Sequence, residues 1–371
     1  MPDSPDAPNV LLLWTDEQRA DTMACYGNTF VQAPRLNRLA EQSFAFKNAY
    51  CATPVCTPSR ATIMTGLLPH THRCIENNTP LSRETRTIAE MLDERYRCAY
   101  FGKWHLGDEV IAQHGFDDWV SIEDEYRAFY SDPQFLERFS DYHHDLVRNG
   151  FAPIQQRGDG AKVFSRREAA LMTERFTKAG FLGRRVSQYL HEHDRSRPFF
   201  ISVNFLEPHM PFYGPLNDLH DPTAIPVGPA FATPPGDDAS LRNQIIGAQY
   251  RQIGADGIAL DSEAGWRRLR ANYLGLVSLV DRSVGMILDA LDAAGLADDT
   301  IVVYTSDHGD MMGDHAQVAK CVMYEQATRI PLLMRVPWLG RDHTPVPGRV
   351  SQVDLVPTLL APLAVLEQAE A

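Results

Sequence analysis

The stretch IVVYTSDHGD, residues 301–310, decides the fold because an apolar run passes directly into a cluster of charged side chains. The run at 301–304 is short, rich in β-branched residues and not alternating, which predicts a strand buried on both faces of a parallel sheet. The same design recurs before three other polar clusters, at residues 10–14, 98–101 and 199–205. Residues 331–336 are predicted to form a fifth strand.

Helical patterns lie between these strands. Apolar residues recur at three- and four-residue spacing at Leu276, Val280, Val284, Ile287 and Leu291, and Gly295 follows as a stop signal. Residues 88–96 are predicted to form a shorter helix. Alternating strands and helices predict an α/β protein with a largely parallel central sheet between helical layers, a three-layer sandwich.

The polar clusters all follow the carboxyl ends of their strands, where ligands bind in doubly wound sheets. We therefore expect six side chains to converge although they span almost 300 residues: Asp16, Lys103, His105, His209, Asp307 and His308. A polar loop that merely ends each strand is the alternative. Four clusters that supply Asp, His or Lys rather than Gly, Asn and Ser argue against it.

Composition and charge exclude several classes of protein. The 371 residues carry 35 basic and 48 acidic side chains, a net charge of −13, which argues against nucleic acid as a partner. The first apolar run has five residues, too few for a secretory signal or a membrane span. The six cysteines lack zinc-type spacing and predict reduced, mostly buried thiols. We therefore expect a cytoplasmic protein without a membrane partner.

The segment TPVCTPSRATIMTG, residues 53–66, predicts a loop that enters a helix. Pro58 suits the first helical position and Gly66 suits the end of the helix. Cys56 would then lie just before the helix, where free backbone N–H groups favour an anion, and Arg60 could bind an oxyanion with two N–H groups. A nucleophile beside an anion pocket and a merely structural cysteine are both compatible with this spacing.

The pattern CTPSR at 56–60 resembles the signature of the formylglycine-dependent (type I) sulfatases of the alkaline phosphatase superfamily. Other segments match that family in order, namely PNVLLLWTD at 8–16, GKWHLG at 102–107, PHMPF at 208–212, SDHGD at 306–310 and Lys320. The matches span nearly the whole chain. The resemblance implies an alkaline-phosphatase-like fold and a metal-dependent sulfuric ester hydrolase.

In that family the signature cysteine, here Cys56, is oxidised to formylglycine, whose hydrate carries two hydroxyl groups. By resemblance, one hydroxyl attacks sulfur and expels the alcohol, and the other then loses its proton and expels sulfate. A divalent cation assists this reaction. The resemblance makes Asp16, residue 56, Asp307 and His308 its ligands.

The pair Asp307-His308 resembles choline sulfatases and phosphonate monoester hydrolases, so we do not expect Glu17 to be a further ligand. Hard oxygen ligands favour Ca²⁺, which we expect first, or Mg²⁺, and an imidazole shifts the preference towards Mn²⁺.

Within this resemblance, the remaining roles are assigned from the charges of the side chains. Arg60 would orient residue 56 and offset negative charge, and Lys103 and Lys320 would hold the sulfate oxygens. His209 would protonate the leaving alcohol, a role that Lys320 could share. His105 would be the base of the elimination step.

The expected activity is hydrolysis of a small-molecule or saccharide sulfate ester, with a carbohydrate sulfate favoured. A phosphonate monoester or phosphodiester hydrolase with the same site is the alternative, and an inactive homologue that acts in binding is a third reading. Maturation would need the formylglycine-generating enzyme as a partner.

A single catalytic domain over 1–371 is predicted, with a helical or loop insertion over the strand ends at about 120–180 and a long loop at 214–262. Residues 351–371 would form a terminal helix, and the small C-terminal subdomain usual in the family is predicted to be absent. A partner subunit that replaces its wall, as in a homo-oligomer, is one of the explanations left open.

Other polar residues receive plainer interpretations. His70 and His72 are assigned to a polar loop, and the pairs His143/His144 and His191/His193 to solvated helix faces. Asp310, Asp314 and His315 are interpreted as groups that orient the metal ligands, with a simple loop as the alternative.

Overall fold

A computed structural model describes residues 7–340 and 342–364. Within them, nine strands form one sheet in the order β11-β2-β10-β8-β1-β7-β3-β4, and β9 pairs with β2. The strands of the sheet are β1 (Asn9–Asp16), β2 (Phe44–Tyr50), β3 (Arg97–Gly102), β4 (Asp118–Ser121), β7 (Phe199–Pro208), β8 (Thr300–Ser306), β9 (Arg329–Ile330), β10 (Leu332–Arg335) and β11 (Thr344–Ser351). A separate hairpin pairs β5 (Gln155–Gln156) with β6 (Lys162–Val163).

The α-helices are α1 (Pro34–Glu41), α2 (Cys56–Thr65), α3 (Pro69–His72), α4 (Ile88–Met91), α5 (Asp141–Arg148), α6 (Arg166–Ala170), α7 (Lys178–Glu192), α8 (Leu241–Ile253), α9 (Glu263–Ala293), α10 (Glu325–Thr328) and α11 (Leu355–Ala364). Short 3₁₀ turns occur at Ala20–Thr22, Ala24–Tyr26, Arg127–Phe129, Pro133–Glu137, Glu174–Phe176, Pro222–Ala224, Ala297–Asp299, Pro337–Leu339 and Gln352–Asp354. Within the described residues, no helix is long and apolar enough to cross a membrane.

Strand β1 shows why the apolar runs form a sheet covered on both faces. All eight of its residues are buried, and it lies parallel to β7 on one side and to β8 on the other. Leu11 and Leu13 belong to one apolar cluster, whereas Val10, Leu12 and Trp14 belong to another. Because successive side chains of a strand point to opposite faces, the sheet separates two cores.

Helices cover both cores, which gives the predicted three layers. Helices α1, α7 and α9 bury their apolar faces in the cluster that contains Leu11, and α2 and α11 bury theirs with Leu12. Strands β8, β1, β7 and β3 are adjacent and parallel, so their carboxyl ends meet at one edge. The predicted α/β fold class and its five strands are confirmed.

Some sequence predictions of local structure are wrong. The helix predicted at 88–96 has only one turn, α4, and the chain is already extended at Leu92. Helix α2 begins at Cys56, so Pro58 is its third residue and not its first. Proline fits there because the N–H groups of the first turn have no acceptor within the helix. Gly66 ends α2 as predicted, with a φ of 69°.

The predicted loop at 214–262 contains the thirteen-residue helix α8, whose first turn is capped by the Ser240 hydroxyl. His72 is buried in the turn α3, where its Nε2 lies 3.2 Å from the Thr62 hydroxyl, so the polar-loop interpretation is wrong there. His143 is buried against Phe139 and does not lie on a solvated face.

The ends of the chain are only partly described. The terminal helix predicted at 351–371 is observed as the turn Gln352–Asp354 followed by α11, and residues 365–371 lie outside the described part. The structure contains no disulfide among the six cysteines, all of which lie in the described residues, and Cys25 and Cys321 are only partly buried. The prediction of unpaired thiols applied to the five cysteines other than Cys56.

Candidate active site

Cys56 lies at the first residue of α2, below the carboxyl ends of the four adjacent parallel strands. Its Sγ is buried, 3.9 Å from Asp16 Oδ1 and 3.4 Å from His308 Nε2. Asp16 is the last residue of β1, and His308 follows β8 by two positions. The sheet therefore brings together residues that are 252 positions apart in sequence.

Asp16, Cys56, Asp307 and His308 form a compact set of donors, and one donor atom from each lies within 4.8 Å of the others. All four side chains are buried. His308 Nε2 lies 3.5 Å from Asp307 Oδ1 and 3.7 Å from Asp16 Oδ1. Two carboxylates, a sulfur and an imidazole can hold one divalent cation, and these are the residues predicted to do so.

Electrostatics also favours a positive charge within this set. Burial, followed by the charge of Asp16, raises the pKa of Asp307 above its usual value. Asp307 Oδ2 accepts no hydrogen bond within the described residues, although Arg60 Nη2 lies 3.3 Å away. Burial acts to lower the pKa of His308, but Asp307 and Cys56 raise it to about 9. A cation fits this donor set because it would relieve the repulsion between the two buried carboxylates.

Two further cations bind the second carboxylate oxygen of Asp16, Oδ2. The Arg60 guanidinium donates to Asp16 Oδ2 at 2.8 Å, and Lys103 Nζ donates to the same oxygen at 2.5 Å. Burial acts to raise the pKa of Asp16, but Lys103, His209 and Arg60 hold it well below its usual value. Asp16 is therefore an ionised carboxylate shared by several positive groups.

The same charges act on position 56. Burial and Asp16 act to raise the pKa of the Cys56 thiol. Lys320 and Lys103 outweigh them and lower this pKa to about 7. The site thus stabilises negative charge on the side chain of residue 56.

Glu17 lies beside the four donors, and its carboxylate contacts Lys320 and His209. Its backbone has a φ of 76°, and its N–H donates to Asp307 Oδ1 at 3.0 Å. Lys320 Nζ donates to Glu17 Oε2 at 2.8 Å, and His209 Nε2 lies 3.5 Å from the same oxygen. Asp16, Glu17 and His209 form a second, three-residue set of possible ligands.

The two predicted proton carriers, His105 and His209, are both buried, and burial is the largest cause that lowers the pKa of each well below its usual value. His105 Nε2 lies 2.9 Å from Asn78 Oδ1, and its ring stacks on Tyr126 with centroids 3.9 Å apart. His209 Nδ1 lies 2.8 Å from the Met210 carbonyl oxygen, which fixes Nδ1 as the protonated nitrogen. Both pKa shifts favour the neutral imidazole.

The loop after β3 depends on Gly102 and on a buried carboxyl group. A Cβ atom on Gly102, whose φ is 123°, would lie 2.0 Å from the Asn204 carbonyl oxygen, so only glycine allows this close approach. Glu109 accepts the backbone N–H groups of Trp104 and His105 at 2.9 and 2.6 Å. Burial raises the pKa of Glu109 to about 7.

Sequence reasoning missed four residues of the site. Asn204 accepts from Arg60 Nη1 at 2.8 Å, and a single Asn inside the apolar run at 199–205 was the signal for it. Glu109, Tyr126 and Arg166 lie in segments without clear periodicity, so no pattern pointed to them.

Asp310, Asp314 and His315, which follow His308 in the sequence, contact different parts of the structure. Asp310 is buried. Burial of Glu17 is the largest cause that raises the pKa of Glu17, and the charge of Asp310 raises it further. Asp314 instead pairs with Arg19 at 2.8 Å and Arg270 at 3.0 Å, and His315 stacks on a tyrosine ring. Of these three, Asp310 is therefore the one placed to influence Glu17.

Comparison with known proteins agrees with this architecture. The sulfatase family model matches residues 8–364. The chain is 30% identical over 372 residues to the uncharacterized sulfatase YidJ of Escherichia coli, covering 98% of this chain and 69% of the relative. It is 26% identical to an N-acetylglucosamine-6-O-sulfatase of Bacteroides thetaiotaomicron, covering 95% of this chain and 67% of the relative.

Among solved structures, the phosphonate monoester hydrolase of Agrobacterium radiobacter matches with a TM-score of 0.71 and 27% identity, covering 96% of this chain and 74% of that chain. The chain belongs to the sulfatase family, within the alkaline phosphatase superfamily. It is an enzyme of the sulfuric ester hydrolase class.

Proposed function

We propose that this protein hydrolyses a sulfate monoester to an alcohol and sulfate, with formylglycine at position 56 as the nucleophile and one divalent cation, Ca²⁺ first and Mn²⁺ or Mg²⁺ next. The single observation that carries the proposal is the convergence of Asp16, Cys56, Asp307 and His308 within 4.8 Å at the carboxyl edge of the sheet. Conversion of Cys56 would require the formylglycine-generating enzyme. The whole chain is proposed to act as one catalytic domain.

The cation would be held by Asp16, residue 56, Asp307 and His308. Bound there, it supplies Lewis acidity that favours a deprotonated nucleophile and polarises a sulfate oxygen. The chain itself fixes two of these ligands, because Arg60 and Lys103 bind Asp16, and Glu17 N–H and His308 N–H bind Asp307 Oδ1. The donors are thus held in place by hydrogen bonds that do not involve the cation.

The proposed sulfate pocket lies where positive charges surround position 56. Lys103 and Lys320 both lower the pKa of Cys56, so a negative charge that develops at this position and on sulfate oxygens would be stabilised. Arg60 has no exposed surface and binds Asp16, Asn204 and the Lys103 carbonyl oxygen. We therefore assign Arg60 to orientation of the pocket.

Proton transfer is assigned to the two neutral histidines. In this geometry His209 Nε2 carries a lone pair, because Nδ1–H faces the Met210 carbonyl oxygen. An anionic sulfate next to His209 would raise its pKa, so that Nε2 takes up a proton from solvent when the substrate binds and passes this proton to the leaving alcohol, with Lys320 beside it. His105, neutral and anchored by Asn78, is assigned as the base that helps to expel sulfate.

A carbohydrate sulfate is the favoured substrate, supported by the relationship to the N-acetylglucosamine-6-O-sulfatase. The second candidate is phosphonate monoester hydrolysis, favoured by the Asp307-His308 pair and by the similarity to the Agrobacterium radiobacter hydrolase. Both reactions would use the same nucleophile and the same donors.

Paired substrates separate the two candidates. The calcium-loaded protein, produced with the formylglycine-generating enzyme, is assayed with 4-nitrophenyl sulfate and with 4-nitrophenyl phenylphosphonate at matched concentrations. We expect a higher kcat/KM for the sulfate ester. A clear preference for the phosphonate would overturn the leading assignment in favour of the second. No turnover of either ester, nor of N-acetylglucosamine 6-sulfate, would contradict both.

A further inference from the structure

Gln352 is a buried amide that contacts the chain around Asp307 and to which the proposed reaction gives no role. It directly follows the edge strand β11, and only 4% of its surface is exposed. Its Nε2 donates to the carbonyl oxygens of Ser306 and Asp307, at 3.1 and 2.7 Å. Its Oε1 accepts from the Ala52 N–H at 3.2 Å and lies 2.9 Å from the Ser59 hydroxyl.

The partners of Gln352 fix the orientation of its amide group. An amide side chain offers two N–H donors and one oxygen with two lone pairs. The two carbonyl oxygens can only accept and the Ala52 N–H can only donate, so the assignment of Nε2 and Oε1 cannot be reversed. All four hydrogen-bonding positions of the amide therefore face a polar partner. A buried polar group that is satisfied in this way holds its neighbours in one arrangement.

The Ser59 hydroxyl makes a second contact with the same carbonyl group. It is buried near the start of α2, and its Oγ lies 2.5 Å from the Asp307 carbonyl oxygen. That oxygen therefore faces both Gln352 and Ser59. The Asp307 carboxylate is held separately, because its Oδ1 accepts the backbone N–H groups of Glu17 and His308. Gln352 and Ser59 thus restrain the backbone of Asp307, and the two N–H groups restrain its side chain.

Gln352 also joins two elements that carry donors of the proposed cation site. Asp307 directly follows β8, whereas Cys56 begins α2. The Nε2 of Gln352 contacts the end of β8, and its Oε1 contacts the chain on both sides of Cys56, at Ala52 and Ser59. The separation of the two donors depends on the spacing between β8 and α2. A hydrogen-bonded amide between these elements restrains that spacing.

The segment that Gln352 begins also contacts the far end of α2. Gly66, which ends the helix, approaches this segment closely. A Cβ atom at position 66 would lie 3.0 Å from Val356 Cβ and 3.4 Å from the Val353 carbonyl oxygen. Residues 352–356 thus contact α2 near both ends and restrict its position relative to β8.

We propose that Gln352 is a positioning residue that, together with the Ser59 hydroxyl, keeps Asp307 and Cys56 at the spacing that a divalent cation requires. The inference rests on the proposed function, because it concerns the cation of the proposed site. Gln352 is not one of the four donors and acts through the Asp307 carbonyl group and through α2. Replacing a group that orients metal ligands typically weakens metal binding by about 10–100-fold.

Calcium binding tests this role without any measurement of turnover. The Kd of Ca²⁺ is measured by calorimetry for the wild type and for Gln352→Met, both produced with the formylglycine-generating enzyme and freed of metal by a chelator. Methionine keeps the length of the side chain but removes its hydrogen bonds. We expect the Kd to rise by about tenfold or more. The calcium concentration for half-maximal turnover of 4-nitrophenyl sulfate should rise by the same factor.

A matched pair of smaller substitutions separates positioning from stability. Ser59→Ala removes a buried hydroxyl beside Asp307. Thr300→Val removes a buried hydroxyl from the opposite end of β8, about 20 Å away along the strand, where it donates to the Leu296 carbonyl oxygen. Both variants should lower the Tm, and only Ser59→Ala should raise the Kd of Ca²⁺. The mass of the peptide that contains Cys56 checks that both are converted equally.

Each outcome bears on a stated assignment. A wild-type Kd in Gln352→Met, or equal increases in Ser59→Ala and Thr300→Val, would overturn the positioning role of Gln352. If Gln352→Met does not fold, Ser59→Ala decides the question, and an unchanged Kd in that variant would overturn the proposal. A wild-type protein that binds none of Ca²⁺, Mn²⁺ and Mg²⁺ would instead contradict the cation site of the proposed function, and this inference with it.

Discussion

Two regions of the candidate active site are built in different ways. The strand-end cluster, which we define as Asp16, Cys56, Asp307 and His308, is buried and lies at the end of β1, at the start of α2 and directly after β8. The insertion wall, defined as Tyr126 and Arg166 with the ion pair to Glu123, comes from loops and short helices of the 120–180 region. The cluster is positioned by the strands of the central sheet and by α2, whereas the wall is built from irregular segments and short helices outside the sheet. The reaction itself should therefore depend on the strand-end cluster, and substrate specificity should depend on the insertion wall.

Removal of the nucleophile should have the largest effect and tests whether the reaction depends on the strand-end cluster. Cys56→Ser has one hydroxyl and cannot form the hydrated aldehyde, so turnover should fall by at least about a thousandfold, as expected for loss of a nucleophile. At most one sulfation event per molecule should remain. Release of sulfate under steady-state conditions measures this effect. Cys25→Ser, which changes a half-buried thiol away from the site, is the matched control and should retain activity.

Sustained turnover by Cys56→Ser would refute the assigned nucleophile. Equal losses in the two serine variants would show that the effect is not specific to position 56.

The next largest effect is expected on stability. Arg60→Met removes the fully buried partner of Asp16 and leaves that carboxylate with less compensation. Breaking a buried pair typically lowers the free energy of unfolding by about 3–5 kcal/mol. Urea unfolding of the wild-type and variant proteins in the presence of a chelator measures the loss, and Arg148→Gln serves as an exposed control. A loss below about 1 kcal/mol would contradict the role given to Arg60.

Asp307→Asn tests the cation site directly. Burial and Asp16 raise the pKa of Asp307, so its ionised form costs stability in chelated protein at neutral pH. Replacement by Asn removes that cost, and we expect the chelated variant to have a Tm equal to or above that of the chelated wild type. The increase in Tm on adding calcium should be clearly smaller in the variant.

Thermal unfolding with and without calcium gives all four Tm values for this comparison. Equal calcium-dependent increases in both proteins would contradict Asp307 as a ligand.

The smallest effect is expected in the insertion wall. Tyr126→Phe removes the hydroxyl that accepts from Arg166 at 2.7 Å but keeps the ring that stacks on His105. Loss of one hydrogen bond to a charged group should cost about 1.5–3 kcal/mol at most, and less where water replaces it. We expect at most a severalfold rise in KM for a sulfate ester and little change in kcat. A large fall in kcat with unchanged KM would show that Tyr126 takes part in the reaction step. It would contradict the division of the site into two regions.

The sequence predicts the cluster well because its residues follow apolar runs. A buried parallel strand has a distinctive composition, and its carboxyl end must lie at the ligand-binding edge, so Asp16 and Asp307 could be placed without knowledge of contacts. Even so, the start of α2 at Cys56 was missed, since proline is accepted at several positions of a first helical turn.

The insertion wall could not be predicted in the same way. Arg166 and Tyr126 are 40 residues apart and meet only through a side-chain hydrogen bond in an irregular region. Helix α8 was missed because it exposes Leu241 and Ile245 to solvent, so its apolar pattern does not mark a core-facing stripe. His72 was misjudged because its burial depends on packing against α2, which no local pattern reveals.

The most direct test of the central claim is the mass of the proteolytic peptide that contains Cys56, from protein produced with the formylglycine-generating enzyme. We predict the mass of an aldehyde in place of a thiol, and sulfate-releasing activity that rises in proportion to the converted fraction. A peptide that keeps its thiol in protein that is nevertheless fully active, or complete conversion without any sulfate release from esters, would contradict the account.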